Sequence, residues 1–590
     1  MVQSRTHNCN ELRLADAGKS VVLVGWFENI RRVSKNLGFV ILRDFYGTTQ
    51  IVPETEEMMN AFTSLNTEST ICVEGEVRER SNKNNKIDTG DIEVVPKKVT
   101  VLGKCRYAEL PFEINRSKEA DENTRLKYRY LDLRNPEVKK KIVMRSKIVA
   151  DLRTAMIDHD FLEINTPILT ASSPEGARDY LVPSRNYPGK FYALPQAPQQ
   201  FKQLLMTSGF DRYFQIAPCF RDEDARADRS PGEFYQLDME MAFASQEDVF
   251  AVIEDVLPPI FEKYGLYKTA SKAPFTRIGF KEAMERYGSD KPDLRIKLEV
   301  NDATALLSDC GFEPFAGNEV KYVKISDFSC TRKQIDAMCD EVFVTTAQKA
   351  YWFKIDENGE IAGGIAKFLQ EKKDEVISTL NLKPGDFVAL SAGKKLTALK
   401  TAGVIRKVFG SRVESVFDKE KYEFCWIVDF PMYEIGEESG EIEFCHNPFS
   451  MPQGGLNALL NEDPLTINAY QYDLVCNGIE LSSGAVRNHD PEIMVEAFKI
   501  VGLGEDDVKA KFPAMYNAFC YGAPPHAGIA PGVDRMIMLL TGDETIREII
   551  PFPMNKGAQD VMMGSPCEVS KKQLDDVHIS IVMPEDKKDE

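Results

Sequence analysis

The chain has 590 residues, a formal net charge of −19 at pH 7, 43% hydrophobic residues and 28% charged residues. One hydrophobic core cannot serve a chain of this length, so we expect several domains. The apolar runs are too short to span a bilayer, and the N-terminal sequence lacks the apolar core of a secretory signal. We therefore expect a cytoplasmic protein with no membrane partner.

Cysteine and charge usage narrow the class of function. Twelve cysteines without a Cys-x-x-Cys pair, and only six histidines, predict neither a disulfide framework nor a structural zinc site. The acidic net charge argues against a DNA-binding protein. The first 110 residues nevertheless hold about 15 basic and about 15 acidic residues, which leaves the N-terminal part able to approach RNA.

Short β-rich segments dominate the sequence from Val21 to about Val101. The segments VVLVGWFENIRR, GFVILRDFYGTTQIV, STICVEGEVRER and DIEVVPKKVTVL are separated by turns rich in polar residues and glycine. Several strands at short spacing predict a small barrel or sandwich. The pattern leaves an OB-type barrel and a generic β-barrel equally open; the OB type places aromatic and basic residues on one face to bind single-stranded nucleic acid. We assign residues 1–105 to this domain.

A long amphipathic segment follows the barrel. Residues 106–135 are charge-rich and weakly periodic, which predicts a hinge. Pro136 to His159 carries apolar residues at three- and four-residue spacing and predicts a helix. The segment FLEINTPIL after it predicts a strand ended by Pro167.

The rest of the chain reads as one domain interrupted by another. Two regions alternate strands and helices around polar motifs, and the stretch between them has few such motifs and Gly-rich turns such as IAGGIAKFL. We expect an α+β multidomain protein in which the two polar regions form one unit. The predicted segments are 136–295 (first part), 296–420 (inserted α+β domain), 421–553 (second part) and 554–590 (C-terminal extension).

Arginines and carboxylates cluster in FRDEDARADRSPGEFYQLDMEM, from Phe220 to Met241. A guanidinium on a rigid strand can clamp a phosphate through two hydrogen bonds and neutralise charge that grows at phosphorus. The alternative for such a stretch is a solvated hairpin with surface ion pairs. Two later segments favour the phosphate site. YDLVCNGIELSSGAVR places Asp473 and Glu480 seven residues apart, where carboxylates and ATP phosphates could share Mg²⁺.

The second of these segments is HAGIAPGVDRMIMLL, which begins an apolar helix. Gly528, Gly532 and Arg535 lie at the N-terminal end of this predicted helix, so a second guanidinium can bind phosphate near a helix N-terminus. FRDED with its loop resembles motif 2 of class II aminoacyl-tRNA synthetases, GIAPGVDR resembles motif 3, and FLEINTPIL resembles the dimer-forming motif 1. Their order and spacing also match that family, whose catalytic domain is built on an antiparallel sheet.

Further segments resemble the aspartyl members of this family. They are SPEGARDYLVPSR, FYALPQAPQQFKQLLMTSGFDRYFQI and YGSDKPDLR. The similarity covers essentially the whole chain, including the barrel. It implies a homodimer that joins L-aspartate to tRNA(Asp), with ATP and Mg²⁺ as cofactors, and leaves open whether tRNA(Asn) is a second substrate. Lysyl and asparaginyl ligases share the barrel and motifs and remain alternatives, as does a synthetase-like RNA-binding protein without activity.

The resemblance assigns roles residue by residue. Arg487 would bind the aspartate side-chain carboxylate, which a neutral asparagine could not replace. The aspartate-binding set would be Glu175, Gln199, Lys202, Arg221, Asp238, His446 and Arg487. The ATP-binding set would be Arg221, Asp222, Glu223, Ser230, Phe234, Glu480, Gly532, Val533, Asp534 and Arg535. Among these, Arg221, Glu480 and Arg535 would be catalytic, and Asp473 and Glu480 would bind Mg²⁺.

The barrel would read the anticodon of tRNA. The family positions match Arg31, Phe39, Gln50 and Glu93, which combine an aromatic ring for stacking with polar groups for base edges. Without the resemblance, Phe39 could equally belong to the barrel core, and Gln50 could be an exposed strand residue. Two departures from the common pattern are a motif 2 loop that is one glycine longer, at SPGEF, and Val52 in place of an aromatic residue.

Overall fold

The computed structural model describes residues 4–172, 177–224, 226–227, 232–436 and 439–583. The chain divides into two compact units, Met1–Ser117 and Lys118–Glu590. Among the described helices, none is long and apolar enough to cross a membrane.

The first unit is a closed five-stranded barrel with strand order β1-β2-β3-β5-β4. All neighbours are antiparallel except β3 and β5, which pair in parallel. Alternate residues of the strands, such as Leu23 and Val73, fill its core. Its elements are β1 (Ser20–Arg32), β2 (Gly38–Arg43), β3 (Thr48–Ile51), α1 (Glu56–Thr63), β4 (Thr70–Glu79) and β5 (Ile92–Gly103).

A glycine permits the tight crossing of β1 and β2. A Cβ at Gly25 would lie 2.3 Å from the carbonyl oxygen of Arg43, closer than any side chain tolerates. The Arg43 side chain is buried and pairs with Glu28 and Glu68, at 2.8 and 2.7 Å. These ion pairs connect β2 to β1 and to the segment before β4. Of the two barrel types that the strand pattern left open, the OB type is confirmed.

The second unit begins with the predicted long helix, α4. Asn135 caps it by accepting from the Glu137 amide, and Pro136 occupies its first turn, where a missing N–H costs nothing. The elements up to the insertion are α2 (Glu122–Lys127), α3 (Arg129–Asp132), α4 (Pro136–Asp158), β6 (Leu162–Glu163), β7 (Leu181–Pro183), β8 (Phe191–Ala193), α5 (Gln199–Thr207), β9 (Arg212–Arg221), β10 (Gly232–Ala242), α6 (Gln246–Tyr264), β11 (Thr276–Gly279) and α7 (Phe280–Tyr287).

The stretch that follows forms its own five-stranded sheet, ordered β12-β13-β16-β14-β15. All of its neighbours are antiparallel. One hydrophobic cluster includes residues of α9 and α11, and a second includes residues of α8 and α10. The elements are β12 (Asn301–Asp302), α8 (Thr304–Leu307), β13 (Glu319–Ile325), α9 (Arg332–Thr346), β14 (Tyr351–Ile355), β15 (Ile361–Ala362), α10 (Lys373–Thr379), β16 (Phe387–Gly393) and α11 (Lys395–Gly410).

The final stretch returns to the sheet that contains β6, β9, β10 and β11. Its elements are β17 (Phe424–Val428), β18 (Tyr433–Ile435), β19 (Ile442–Phe444), α12 (Gly455–Asn461), β20 (Gln471–Cys476), β21 (Ile479–Arg487), α13 (Pro491–Ile500), α14 (Glu505–Lys511), α15 (Pro513–Cys520), β22 (His526–Ile529), α16 (Val533–Thr541) and α17 (Lys571–Asp576). The helix α17 lies in the segment that the sequence predicted to be a C-terminal extension.

The large sheet has eight strands in the order β11-β17-β20-β21-β22-β10-β9-β6. Its six central strands are antiparallel, and only the two edge strands pair in parallel. Helices α4, α6 and α16 contribute to its main hydrophobic cluster through residues such as Leu152, Ile253 and Ile537. The antiparallel sheet expected from the class II motifs is therefore present.

One predicted strand is much shorter than its motif. In FLEINTPIL, only Leu162 and Glu163 form a strand, at the edge of the sheet beside β9. Thr166 donates instead to the side chain of Gln215, and Pro167 has no N–H to continue a ladder. Apolar composition alone could not predict that the pairing stops here.

Candidate active site

A cavity of about 460 Å³ lies beside β9, β10, β21 and α16. Arg221 ends β9, Arg487 ends β21, and Arg535 lies in the first turn of α16. All three guanidinium groups line this cavity, which suits a ligand with several negative charges. The other predicted site residues that line it are Gln199, Lys202, Glu223, Phe234, His446, Glu480, Gly532 and Asp534.

A buried lysine marks one end of the cavity. Lys202 lies in α5, and its Nζ donates to Asp238 Oδ1 at 2.6 Å. The same Nζ is 3.7 Å from Glu240 Oε2. All three side chains are almost completely buried, so the ammonium group depends on these carboxylates for compensation.

Arg487 is held by a carboxylate that the sequence motifs did not single out. Its Nε donates to Glu240 Oε1 at 2.9 Å, and its Nη2 donates to Oε2 at 3.3 Å. Burial alone would raise the pKa of Glu240, but the charges of Arg487 and Lys202 outweigh it and lower the pKa. Glu240 follows Asp238 by two residues on β10, so strand periodicity places both on one face. That spacing was the available signal.

Several polar atoms at this end of the cavity have no hydrogen-bond partner among the described residues. Gln199 Nε2 and Asp238 Oδ2 form no hydrogen bond with any residue that the structure describes. The edge of the Arg487 guanidinium that faces away from Glu240 likewise forms none within the described ranges. Burial raises the pKa of Asp238. Because buried polar groups are normally paired, these atoms indicate a ligand that carries both donors and acceptors.

The other end of the cavity holds Arg221, Phe234 and Arg535. The Arg221 guanidinium lies over the Phe234 ring, 5.0 Å from its centroid. Arg535 donates from Nη1 to the backbone oxygen of Glu480 at 2.9 Å and lies 3.8 Å from the Glu480 carboxylate. Two guanidinium groups and an aromatic face are what a nucleotide triphosphate requires.

Two carboxylates lie close together beside Arg535. Asp473 is on β20 and Glu480 on β21, next to a bulge at Leu474 and Val475. Burial, reinforced by the Glu480 charge, raises the pKa of Asp473 well above its usual range. Burial also acts on Glu480, but the positive charge of Lys291 outweighs it and lowers the pKa.

The carboxylate pair fits Mg²⁺. Asp473 Oδ1 is buried and has no hydrogen-bond partner in the described part of the chain. Carboxylate oxygens are the ligands that Mg²⁺ prefers, with the remainder commonly supplied by phosphate and water. No group of three or more acidic, histidine or cysteine side chains with metal-binding geometry occurs among the described residues. The protein alone therefore offers two ligands here.

His446 lies just after β19 and lines the cavity near Glu480. Its ring meets Phe430 edge to face, with centroids 5.1 Å apart, and burial lowers its pKa. A neutral imidazole that lines the cavity can donate or accept a hydrogen bond without adding charge.

The predicted anticodon residues form two pairs on the barrel. Arg31 and Phe39 are cross-strand partners, and the guanidinium lies 5.0 Å from the ring centroid. Phe39 is half-buried between the buried residues Gly38 and Val40, so it faces away from the barrel core. It is therefore not the core residue that the sequence left open.

The second pair on the barrel is more enclosed. Gln50 is buried rather than exposed, and its Nε2 donates to Glu93 Oε2 at 3.1 Å. Arg78 donates to the other oxygen of Glu93 through Nε at 3.0 Å and Nη2 at 2.6 Å. The amide and the carboxylate are therefore held in fixed orientations.

Comparisons with known proteins place this geometry in a family. The family described as tRNA synthetases class II (D, K and N) matches residues 121–556, and the OB-fold nucleic acid binding domain matches residues 21–102. An aspartate–tRNA ligase of Streptomyces avermitilis is 51% identical over 593 residues, which cover 100% of both chains. The chain belongs to the aspartate–tRNA ligase family. It is an aminoacyl-tRNA ligase of class II.

Other relatives are named for two tRNAs, tRNA(Asp) and tRNA(Asn). An aspartate–tRNA(Asp/Asn) ligase of Zymomonas mobilis is 51% identical over 589 residues, which cover 98% of both chains. Solved structures support the fold. An asparaginyl-tRNA synthetase from Pyrococcus horikoshii has a TM-score of 0.58 at 18% identity, covering 94% of this chain and 98% of that one. A putative aspartyl-tRNA synthetase from Leishmania major has a TM-score of 0.58 at 21% sequence identity, covering 94% of each chain.

Asp534 lines the cavity but also has a partner outside it. Asp534 accepts from the backbone N–H of Tyr235 at 3.0 Å and pairs with Arg145 of α4. Its carboxylate therefore links α16 to β10 and to α4. Val533 is buried in the main hydrophobic core, and Asp222 is exposed, with its backbone N–H bonded to the Arg178 oxygen. The side chains of these two residues do not line the cavity.

Two predicted residues lie outside the described residues. They are Glu175, expected at the amino group of aspartate, and Ser230, expected at ATP. Sequence reasoning also missed Lys291, whose Nζ is 2.7 Å from Glu480 Oε2. The segment that contains it, YGSDKPDLR, was noted only for its resemblance to this ligase family.

Proposed function

We propose that this ligase activates L-aspartate with ATP and transfers it to the 3′ end of tRNA(Asp). The observation that carries the proposal is the single cavity lined by Arg221, Arg487 and Arg535. One guanidinium suits the side-chain carboxylate of the amino acid, and two suit the triphosphate. The aspartate–tRNA ligases that match over the whole chain support the same substrate.

The amino-acid end would recognise aspartate through Arg487 and Lys202. The outward edge of Arg487 would bind the side-chain carboxylate in a bidentate pair, and Lys202 would add charge behind it. An asparagine amide would leave that buried edge poorly compensated, which is a strong basis for discrimination. Asp238, Gln199, Glu175 and His446 would surround the amino acid, and the unpartnered atoms of Asp238 and Gln199 support this role.

The nucleotide end would hold ATP for in-line displacement. Arg221 would bind the α-phosphate and Arg535 the γ-phosphate, while Phe234 would stack on adenine. The remaining proposed ATP contacts are Glu223, Ser230, Glu480, Gly532 and Asp534. Asp222 and Val533 would contribute only backbone groups, because their side chains do not line the cavity. The α-carboxylate of aspartate would attack the α-phosphorus and release pyrophosphate, and the aspartyl group would then pass from the adenylate to a ribose hydroxyl of the terminal adenosine.

Positioning and charge stabilisation carry this chemistry, because no covalent enzyme intermediate is needed. Arg221 and Arg535 would neutralise charge that grows on the phosphate oxygens. Asp473 and Glu480 would hold Mg²⁺, which supplies further charge neutralisation when bound. The buried, unpartnered oxygen of Asp473 supports that assignment.

The barrel would bind the tRNA anticodon through Arg31, Phe39, Gln50 and Glu93. A half-buried ring beside a guanidinium suits an unstacked base, and the fixed Gln50 and Glu93 groups suit base edges. The relatives whose names include tRNA(Asp/Asn) support a second substrate, tRNA(Asn). Charging assays with aspartate and transcripts of both tRNAs test this, because an enzyme specific for tRNA(Asp) would charge only the first.

We assign residues 1–105 to anticodon binding, 106–135 to a hinge, 136–295 and 421–553 to catalysis, 296–420 to an insertion and 554–590 to an extension. The enzyme would act in the cytoplasm as a homodimer. Exposed apolar side chains around motif 1 support the dimer, because large exposed apolar patches favour association between protein chains. These side chains are Ile157, Leu162, Ile168 and Leu169. Sedimentation of the full chain tests the oligomeric state.

ATP–pyrophosphate exchange tests the substrate assignment. Wild-type protein should exchange with aspartate but not with asparagine or lysine, and Arg487→Leu should abolish aspartate-dependent exchange. Near-normal exchange in that variant would remove Arg487 from the pocket. Exchange that depends on lysine or asparagine would favour the other ligases of this class, and no exchange with any amino acid would favour an inactive RNA-binding protein.

A further inference from the structure

Lys291 is a charged group at the nucleotide end to which no role has been assigned. It follows α7 and reaches the carboxylate that we assign to Mg²⁺: its Nζ is 2.7 Å from Glu480 Oε2 and 3.8 Å from Asp290 Oδ2. Its side chain is 41% exposed. The ammonium group can therefore leave Glu480 without breaking the packing of the core.

The backbone beside Lys291 is fixed by the inserted sheet. Arg406 of α11 is buried and donates to the backbone oxygens of Asp293, Ile296 and Leu298, at 2.9, 2.6 and 2.6 Å. A guanidinium that satisfies three carbonyls holds this stretch of backbone in one conformation. Lys291 thus lies beside an anchored stretch of main chain, while its charged side chain is partly exposed.

Electrostatics make Lys291 a competitor of a metal ion. A divalent cation bound by Asp473 and Glu480 would meet the ammonium group within a few ångströms, and like charges at that distance repel strongly. Lys291 can leave Glu480 when a more highly charged anion enters the cavity. The triphosphate of ATP is such an anion.

We propose that Lys291 is a positioning residue that serves as the built-in counter-ion of Glu480. Lys291 prevents a free divalent cation from binding to Asp473 and Glu480, and it leaves Glu480 when the triphosphate enters. The metal therefore binds together with the nucleotide rather than before it. This inference rests on the proposed assignment of Asp473 and Glu480 to Mg²⁺.

Binding of Mn²⁺ to the full-length protein without ATP tests the proposal, with free Mn²⁺ measured by electron paramagnetic resonance. Lys291→Met should bind Mn²⁺ about tenfold or more tightly than wild type, because a repelling charge has been removed. Lys291→Arg should resemble wild type. Lys297→Met is the matched control and should have no effect. Lys297 is exposed, and its ammonium group bonds only to the Leu294 oxygen among the described residues.

A gain in affinity separates this role from a structural one, because damage to the fold would weaken binding. Lys291→Gln removes the same charge without adding an apolar side chain and should show the same gain. Equal Mn²⁺ affinity in wild type and both neutral variants would overturn the proposal. If the gain survives in the double variant Lys291→Met with Glu480→Gln, the metal assignment itself is wrong, since Glu480 would not be a ligand.

Discussion

At the amino-acid end of the cavity, the Arg487 and Lys202 side chains are 3% and 2% exposed, and each bonds to a buried carboxylate. At the nucleotide end, Arg535 is 20% and Lys291 is 41% exposed, and both contact the same partly exposed carboxylate, Glu480. The first end is dry and preorganised, which favours discrimination between similar amino acids. The second end is accessible, which suits an anion that must enter and leave.

The amino-acid end also refines the expectation from sequence. The sequence expectation placed Arg487, Lys202 and Asp238 at aspartate but did not include Glu240. With Glu240, the two positive and two negative buried side chains balance each other when all are ionised. Selection then depends on which groups face the cavity. The carboxylate of Glu240 occupies one edge of Arg487 and thereby fixes the direction of the other edge.

Glu240→Gln gives the largest expected effect on stability. It leaves a buried guanidinium without its carboxylate, and removal of one partner of a buried ion pair costs about 3–5 kcal/mol. Urea denaturation should show this loss in the free energy of unfolding. Glu247→Gln is the control, because Glu247 pairs with Arg277 at the surface and should change stability by at most about 1 kcal/mol. Equal effects of the two variants would show that the amino-acid end is not preorganised by buried charge.

The same variant should respond to pH in a defined direction. The pKa of Glu240 is lowered in the folded protein, since Arg487 and Lys202 outweigh the effect of burial. Its charge therefore stabilises the fold above the ordinary glutamate pKa of about 4.3, and the stabilisation is lost as pH falls through the lowered value. The stability difference between wild type and Glu240→Gln should be full at pH 7 and narrow below about pH 4.3. A difference that widens in acid would contradict this.

Sequence motifs predicted the three arginines of the cavity but not the groups that hold them. Arg221, Arg487 and Arg535 belong to motifs that resemble a known family, so their meeting could be predicted before the fold was seen. Glu240 and Lys291 act through neighbours that are distant in the chain, and only the strand order and loop path bring them together.

Asp534 shows the opposite case, in which a motif residue also has a partner outside the cavity. Asp534 and Arg535 both line the cavity, but the Asp534 carboxylate also pairs with Arg145 of α4. The helical spacing that sends the two side chains in different directions was visible in the sequence. The pairing with Arg145 on α4 could not be predicted from the sequence, because it depends on how two helices pack against one sheet.

Asp534→Asn is expected to have an intermediate effect at the boundary of the nucleotide end. It keeps an oxygen for the Tyr235 N–H but loses the charge that pairs with Arg145, which should cost about 1.5–3 kcal/mol. The KM for ATP should rise because the adjacent Arg535 is less firmly placed. The surface pair Arg332 and Asp336 provides the control, and Asp336→Asn should leave both quantities almost unchanged. An unchanged KM for ATP would limit Asp534 to a structural role.

Glu480→Gln should have the smallest effect on stability, although it removes a charge from the proposed catalytic set. Glu480 loses its pairing with Lys291, which is 41% exposed, and such pairs contribute about 1 kcal/mol or less. The substitution also relieves repulsion of buried Asp473, whose pKa is raised by burial and by the Glu480 charge. These opposing terms should leave the free energy of unfolding within about 1 kcal/mol of wild type, while ATP–pyrophosphate exchange falls sharply. A large loss of stability would show that the nucleotide end, like the amino-acid end, is built on charges that the fold requires.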